Sequence, residues 1–105
     1  MADQVTKAQW DAEVIKATVP VLVDFGATWC PPCRAIAPEI EAVSQMVAGK
    51  AKVVTVDVDS DPDLAARYGV RGIPALLVFK NGQVVEQTAG YLRRTDLADL
   101  LLSHV

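Results

Sequence analysis

The segment Val21-Leu22-Val23-Asp24-Phe25, bounded by Pro20 and Gly26, constrains the chain more than any other. It is short, rich in β-branched and aromatic residues, and apolar at every position but one. A strand with one face in water alternates apolar with polar side chains, so a near-continuous apolar run is a strand covered on both faces. Two covered faces require helices above and below the sheet. Runs of the same kind recur at 51–58 and 75–79.

Helical signals fall between these runs. Thr6-Lys7-Ala8-Gln9 has a capping-box pattern ahead of Trp10, Val14 and Ile15, which predicts a first helix over 7–17, ended by Thr18, Val19 and Pro20. After Cys30-Pro31-Pro32-Cys33, apolar Ile36, Ile40, Val43 and Val47 recur at helical spacing, and Gly49 closes the pattern. Pro38 inside it is expected to kink the helix. Ser60-Asp61-Pro62-Asp63 caps a short helix that stops at Gly69. Asn81-Gly82 is a strong hairpin signal, so 84–89 should return antiparallel to 75–79. Thr95 is expected to cap a last helix that turns Leu97, Leu100 and Leu101 inward. The pattern gives one α/β domain over 1–105 with a mixed sheet, without linkers or repeats.

Composition removes several classes of function. Thirteen acidic against ten basic residues give a net charge of −3, and no basic stripe exists to track phosphates, so nucleic acid is not an expected partner. The longest apolar stretch, 75–79, is far too short to span a membrane. Met1–Val5 carries neither basic residues nor an apolar core, so no signal peptide is visible and the cytoplasm is the expected location.

The two cysteines, Cys30 and Cys33, lie too close together to scaffold a disulfide-rich fold. A redox dithiol, half of a metal site, or two inert residues remain. Zinc needs four ligands, and the sole histidine is His104 near the C-terminus, so a metal would require two chains. The surroundings favour redox chemistry. Cys30 falls at the N-cap of a helix that follows a buried strand, where free N–H groups and the helix dipole stabilise a thiolate. Pro31 and Pro32 have no N–H, so the first donors are those of Cys33 and Arg34, both expected to point toward the Cys30 sulfur. Cys30 is then the exposed attacking thiol and Cys33 the recessed one that resolves a mixed disulfide. Asp24, inside an apolar strand, is expected to have a raised pKa through desolvation. It serves either as a proton exchanger near neutrality or as a structural carboxylate held by a local donor.

These residues resemble one family. Val21–Phe25, Ala27, Trp29-Cys30-Pro31-Pro32-Cys33-Arg34 and Pro38, followed by Arg71-Gly72-Ile73-Pro74, Phe79-Lys80-Asn81-Gly82 and Gly90, are similar to the landmarks of the thioredoxins, in order and across nearly the whole chain. The resemblance implies a five-stranded mixed sheet flanked by four helices. It makes Cys30 the nucleophile, Cys33 the resolving thiol in a Cys30–Cys33 dithiol/disulfide cycle, and Asp24 the proton acceptor beneath Cys33. Pro74 would be a cis-proline facing the disulfide, although a proline before a strand is also ordinary punctuation. Trp29, Pro31, Pro32, Ile73, Pro74, Gly90 and Tyr91 would form the substrate-binding surface. The implied partners are disulfide-containing protein substrates and a flavin-dependent reductase as electron donor. No bound cofactor and no metal are implied, and a monomer is expected.

Four positions depart from the family pattern. The dipeptide between the cysteines is Pro31-Pro32 where Gly-Pro is usual, and proline disfavours helical geometry in the residue before it. Gly26 stands where an aromatic residue is common, Thr55 where a lysine often approaches the buried aspartate, and Tyr91 where a small residue is common. Asp57-x-Asp59-x-Asp61 has the look of a calcium loop, but Pro62 and Tyr68 stand where the loop needs glycine and glutamate. The expected activity is reduction of protein disulfides. A thiol oxidase or isomerase with a shifted potential, and a non-redox interaction module using the same surface, are the alternatives.

Overall fold

The computed structural model describes residues 2–105. Strands β1 (Asp3–Gln4), β2 (Val21–Gly26), β3 (Lys52–Asp57), β4 (Ala75–Lys80) and β5 (Gln83–Ala89) form one sheet in the order β1-β3-β2-β4-β5. β1, β3 and β2 run parallel, whereas β4 is antiparallel to both β2 and β5. The α/β fold with a five-stranded mixed sheet is therefore the one expected. β2 sits at its centre, which explains why its sequence is apolar on both faces.

Alternation along the strands divides the core into two layers. Val21, Val23 and Phe25 of β2, with Ala75, Leu77 and Phe79 of β4, pack on one side with Trp10, Val14 and Leu64. Leu22, Leu76 and Val78 pack on the other against Ile36, Ile40 and Val43 of α1 (Pro31–Met46) and Leu97 and Leu101 of α3 (Arg94–Leu102). The period of two puts Asp24 on the side of Leu22, beneath the start of α1. The short α2 (Pro62–Arg67) contributes Leu64 to the first layer.

Two helical details differ from the expectations. The predicted first helix is a 3-10 turn at Lys7–Gln9 followed by a π-helical turn at Asp11–Ile15. The Gln9 side chain accepts the Thr6 N–H at 3.1 Å, as the capping pattern foretold, but tertiary packing of Trp10 overrides the α-helical repeat. Its ring packs edge-on against Phe79 with centroids 5.4 Å apart, and its Nε1 donates to the Tyr68 hydroxyl at 3.0 Å. α3 begins one residue ahead of Thr95, with Arg93 at the cap position. A cap hydroxyl is unnecessary there, because Glu39 of α1 accepts the Arg94 N–H at 2.8 Å and also pairs with the Arg94 guanidinium. α1 runs on through Pro38 without a break.

The hairpin joining β4 to β5 forms at Asn81-Gly82, with φ of +54° and +79°. This is the left-handed pair that a two-residue turn needs and that Asn-Gly supplies at least cost. A Cβ at Gly82 would also meet the Ile15 carbonyl oxygen and Cγ2, each at 3.3 Å. Gly82→Ala is therefore expected to lower the unfolding free energy by about 1–2 kcal/mol. The result would be a lower urea midpoint at unchanged slope, and an unmoved midpoint would show the turn to be unstrained.

Candidate active site

β2 ends at Gly26, and the chain turns through Ala27, Thr28 and Trp29 into Cys30, which caps α1 with extended backbone (φ −87°, ψ 116°). Pro31 and Pro32 open the helix, so the extended geometry expected for Pro31 gives way to the first helical turn. The donors then divide. The Cys33 N–H points to Cys30 Sγ at 3.4 Å, whereas the Arg34 N–H goes to the Cys30 carbonyl at 3.1 Å rather than to the sulfur. The Cys33 thiol also donates to Cys30 Sγ, with the two sulfurs 2.6 Å apart. Cys30 Sγ thus accepts from both the backbone N–H and the thiol of Cys33.

Exposure does not separate the two cysteines as expected. Cys30 is 4% exposed and Cys33 8%. Cys30 is covered because Ile73 packs against the pair, its carbonyl oxygen 3.9 Å from Cys30 Sγ. Burial first, then the hydrogen bond to Cys30, pushes the Cys33 thiol up to about 11, so it keeps its proton until something removes it.

Asp24 is the only polar residue among the buried ones described, 8% exposed, and its Oδ1 has no hydrogen-bond partner among the described residues. Burial raises its pKa from 3.8 to about 7. In register it lies between Thr55 of β3 and Leu76 of β4. A Cβ at Gly26 would stand 3.3 Å from Cys33 Sγ and 3.8 Å from Asp24 Oδ1, so a group the size of one methyl touches both. The space is continuous with a cavity of about 330 Å³, lined by Asp24, Gly26, Cys33, Arg34, Thr55 and Asp57 among others.

On the opposite flank of the cysteines, the Ile73–Pro74 peptide bond is cis, and Pro74 is buried ahead of β4. The Gly90 N–H donates to the Pro74 carbonyl at 2.8 Å, and Gly90 has φ +94°, which favours glycine there. Cys30, Ile73, Pro74 and Gly90 are thus gathered together, with Tyr91 exposed next to Gly90. Pro31 and Pro32 are exposed on the first turn of α1. Trp29 is 63% exposed yet fixed, since its Nε1 donates to Asp59 at 2.7 Å.

The anchoring role of Asp59 was not visible in the sequence. The three aspartates that imitate a calcium loop have other partners. Asp57 accepts the Asp59 N–H at 2.9 Å, Asp61, at the N-cap position of α2, accepts the Lys7 N–H at 3.2 Å, and Asp59 holds Trp29. Their alternation at the end of β3 was the available signal, but it names no partner. Among the described residues no cluster of three or more His, Cys, Asp and Glu could hold a metal ion.

Two sulfurs in contact at a helix N-terminus, with a buried carboxyl behind them, suit thiol–disulfide exchange. The comparisons agree: the thioredoxin family model matches residues 1–103. The chain is 45% identical to Thioredoxin 1 of Nostoc sp., over 99% of this chain and 97% of that protein. It is 53% identical to Thioredoxin C-2 of Corynebacterium nephridii, over 89% and 86% respectively. Thioredoxin 1 of Synechococcus elongatus is 43% identical over 100% of this chain and 98% of its own. The chain belongs to the thioredoxin family and is a protein-disulfide reductase.

Proposed function

We propose that this single-domain reductase works through a Cys30–Cys33 cycle in which each residue has a distinct task. The Cys30 thiolate attacks one sulfur of a substrate disulfide, forming a mixed disulfide as the other substrate sulfur leaves and takes up a proton. Cys33 then gives its proton to the Asp24 carboxylate, directly or through one water, and attacks Cys30 Sγ. The second substrate sulfur leaves as a thiolate and takes up the proton held by Asp24, and the enzyme carries the Cys30–Cys33 disulfide. A flavin-dependent thioredoxin reductase returns two electrons and, with one proton, restores the Cys30 thiolate and the Cys33 thiol to close the cycle. The observation that supports this assignment is the Cys33 N–H at the start of α1, which points to Cys30 Sγ at 3.4 Å as a donor suited to an attacking thiolate.

The docking surface is the exposed rim of Trp29, Pro31, Pro32 and Tyr91 together with Ile73, Pro74 and Gly90. An extended substrate segment pairs there with the backbone at Ile73, which gives affinity without a sequence requirement. The setting is the cytoplasm, where the protein acts as a monomer in electron transport to protein disulfides.

The deciding measurement is equilibration of the dithiol against a thiol redox buffer. A reductase is expected to lie near the value general for thioredoxins, about −270 mV. A potential above about −200 mV would instead make Cys-Pro-Pro-Cys an oxidising or isomerising site.

A further inference from the structure

Between the end of β2 and the start of α1 the chain crosses with little packing to hold it. Gly26 has no side chain, Thr28 is exposed, and both line a hollow of about 330 Å³ together with Ala27 and with Arg34 and Ala37 of α1. Only Ala27 packs inward, in a cluster with Cys30 and Cys33. Hydrogen bonds therefore fix this turn. The Val58 N–H donates to the Gly26 carbonyl at 3.0 Å, and the Cys30 N–H donates to the Ala27 carbonyl at 3.3 Å. Asp59 holds the Trp29 indole from the end of β3. The remaining tie comes from α1. Arg34 Nη1 donates to the Thr28 carbonyl at 3.1 Å, and the Arg34 backbone N–H donates to the Cys30 carbonyl at 3.1 Å. One residue thus grips the chain on both sides of Trp29. The Arg34 guanidinium forms no ion pair among the described residues, so the Thr28 carbonyl is the partner that fixes it.

We infer that Arg34 is a positioning residue for substrate docking: it ties the 27–29 turn to α1, so that Trp29 is presented to the substrate in one orientation next to Cys30. Local geometry shows why the task falls to this residue. Pro31 and Pro32 have no N–H to offer the carbonyls of the turn, and of residues 31–34 only Arg34 carries a side-chain N–H. Side chains on a helix lean toward its N-terminus, so residue 34 reaches back over the first turn as far as residue 28. A guanidinium presents five N–H donors, which keeps one of them on the carbonyl as the side chain moves.

The functional consequence rests on the proposed place of Trp29 in the docking surface. The indole is held by Asp59 at its tip, and its backbone is held by Arg34 at both neighbouring carbonyls. Release of the Thr28 carbonyl loosens the backbone end and with it the bond at the tip. Arg34 accordingly acts on how a protein substrate is received and leaves the reactivity of the Cys30 sulfur unchanged.

The test uses the full, reduced chain with Arg34→Met, which removes the donor, and Arg34→Lys, which keeps a charge and a donor. Residue 34 is exposed, and urea midpoints establish that each variant is folded. Hydrogen exchange of the Trp29 Nε1–H, followed by NMR, should be about threefold to tenfold faster in Arg34→Met and close to wild type in Arg34→Lys. Oxidation of the reduced chain by excess insulin, whose disulfide is reduced as the Cys30–Cys33 disulfide forms, should slow by about the same factor in Arg34→Met and recover in Arg34→Lys. Alkylation of Cys30 by iodoacetamide needs no docking and should stay within about twofold of wild type. The slower oxidation should persist in about 0.5 M sodium chloride, where long-range charge steering is screened. Unchanged Trp29 exchange in Arg34→Met overturns the inference, as does a slowing that disappears in salt or that Cys30 alkylation shares. Faster Trp29 exchange with undiminished oxidation by insulin keeps the clamp but removes Trp29 from the docking surface, which refutes the docking role. Alkylation at Cys33 in place of Cys30 would instead refute the proposed cycle, and the exchange measurement on Trp29 would still decide the clamp.

Discussion

Cys33→Ser should halt the cycle at its midpoint and leave substrate proteins covalently attached through Cys30. The first half of the reaction needs a thiolate at Cys30, and the backbone N–H of residue 33 at 3.4 Å survives the substitution. The second half needs a sulfur beside Cys30 Sγ, and a serine hydroxyl there cannot form the new disulfide. Multiple-turnover reduction should fall by on the order of a thousandfold or more, while the single-turnover attack stays within about tenfold of wild type. Cys30→Ser gives the complementary result, with loss of both phases and no trapped substrate. Mass spectrometry of non-reduced mixtures separates the cases, since mixed disulfides should carry Cys30 in Cys33→Ser and be absent from Cys30→Ser. Substrates attached instead through Cys33 in Cys30→Ser, with comparable kinetics, would reverse the two roles.

The parts of this site that were legible in sequence are those fixed by local chemistry. Helix capping at Cys30 follows from a buried strand, two prolines without N–H groups and an apolar periodicity beginning at Ile36. The alternation along β2 places Asp24 on the face of Leu22, which is covered by α1, and burial of a carboxylate there raises its pKa whatever the surrounding detail. The unforeseen parts depend on elements distant along the chain. Ile73 covers Cys30 from 43 positions further along the sequence, so no pattern near the cysteines reports that burial. Asp59 reaches Trp29 from the far end of β3, and Glu39 replaces the hydroxyl cap of α3 from another helix. The first helix failed for a related reason: the ring cluster of Trp10, Phe79 and Tyr68 determines the winding of residues 7–15, whereas periodicity registers only that Trp10 and Val14 face inward.

Replacing Asp24 should make the protein more stable and less able to complete its reaction. The carboxyl titrates near 3.8 when the chain is unfolded and at about 7 when folded. Between those values the folded state binds a proton that the unfolded state does not, so stability falls as pH rises through that window. The neutral form is favoured in full below the unfolded value, and the cost of ionising a buried group is complete above the folded one. Three pH units correspond to about 4 kcal/mol. Asp24→Asn removes that cost but leaves an amide without partners, a penalty of about 1 kcal/mol. At pH 8.5 the variant should therefore be about 3 kcal/mol more stable than wild type, and near pH 3.5 slightly less stable. Urea titrations across this range should show the difference growing with pH, with most of the change between pH 4 and 8. A pH-independent difference would mean that Asp24 has an ordinary pKa in the folded protein. In the same variant, attack by Cys33 loses its neutral-pH proton acceptor, because desolvation holds the thiol at about 11. Mixed-disulfide resolution should slow by about 10²-fold at pH 7 and recover as hydroxide takes over at high pH. A variant that gained the stability yet kept the wild-type resolution profile would show that the buried carboxylate destabilises the fold without serving the chemistry.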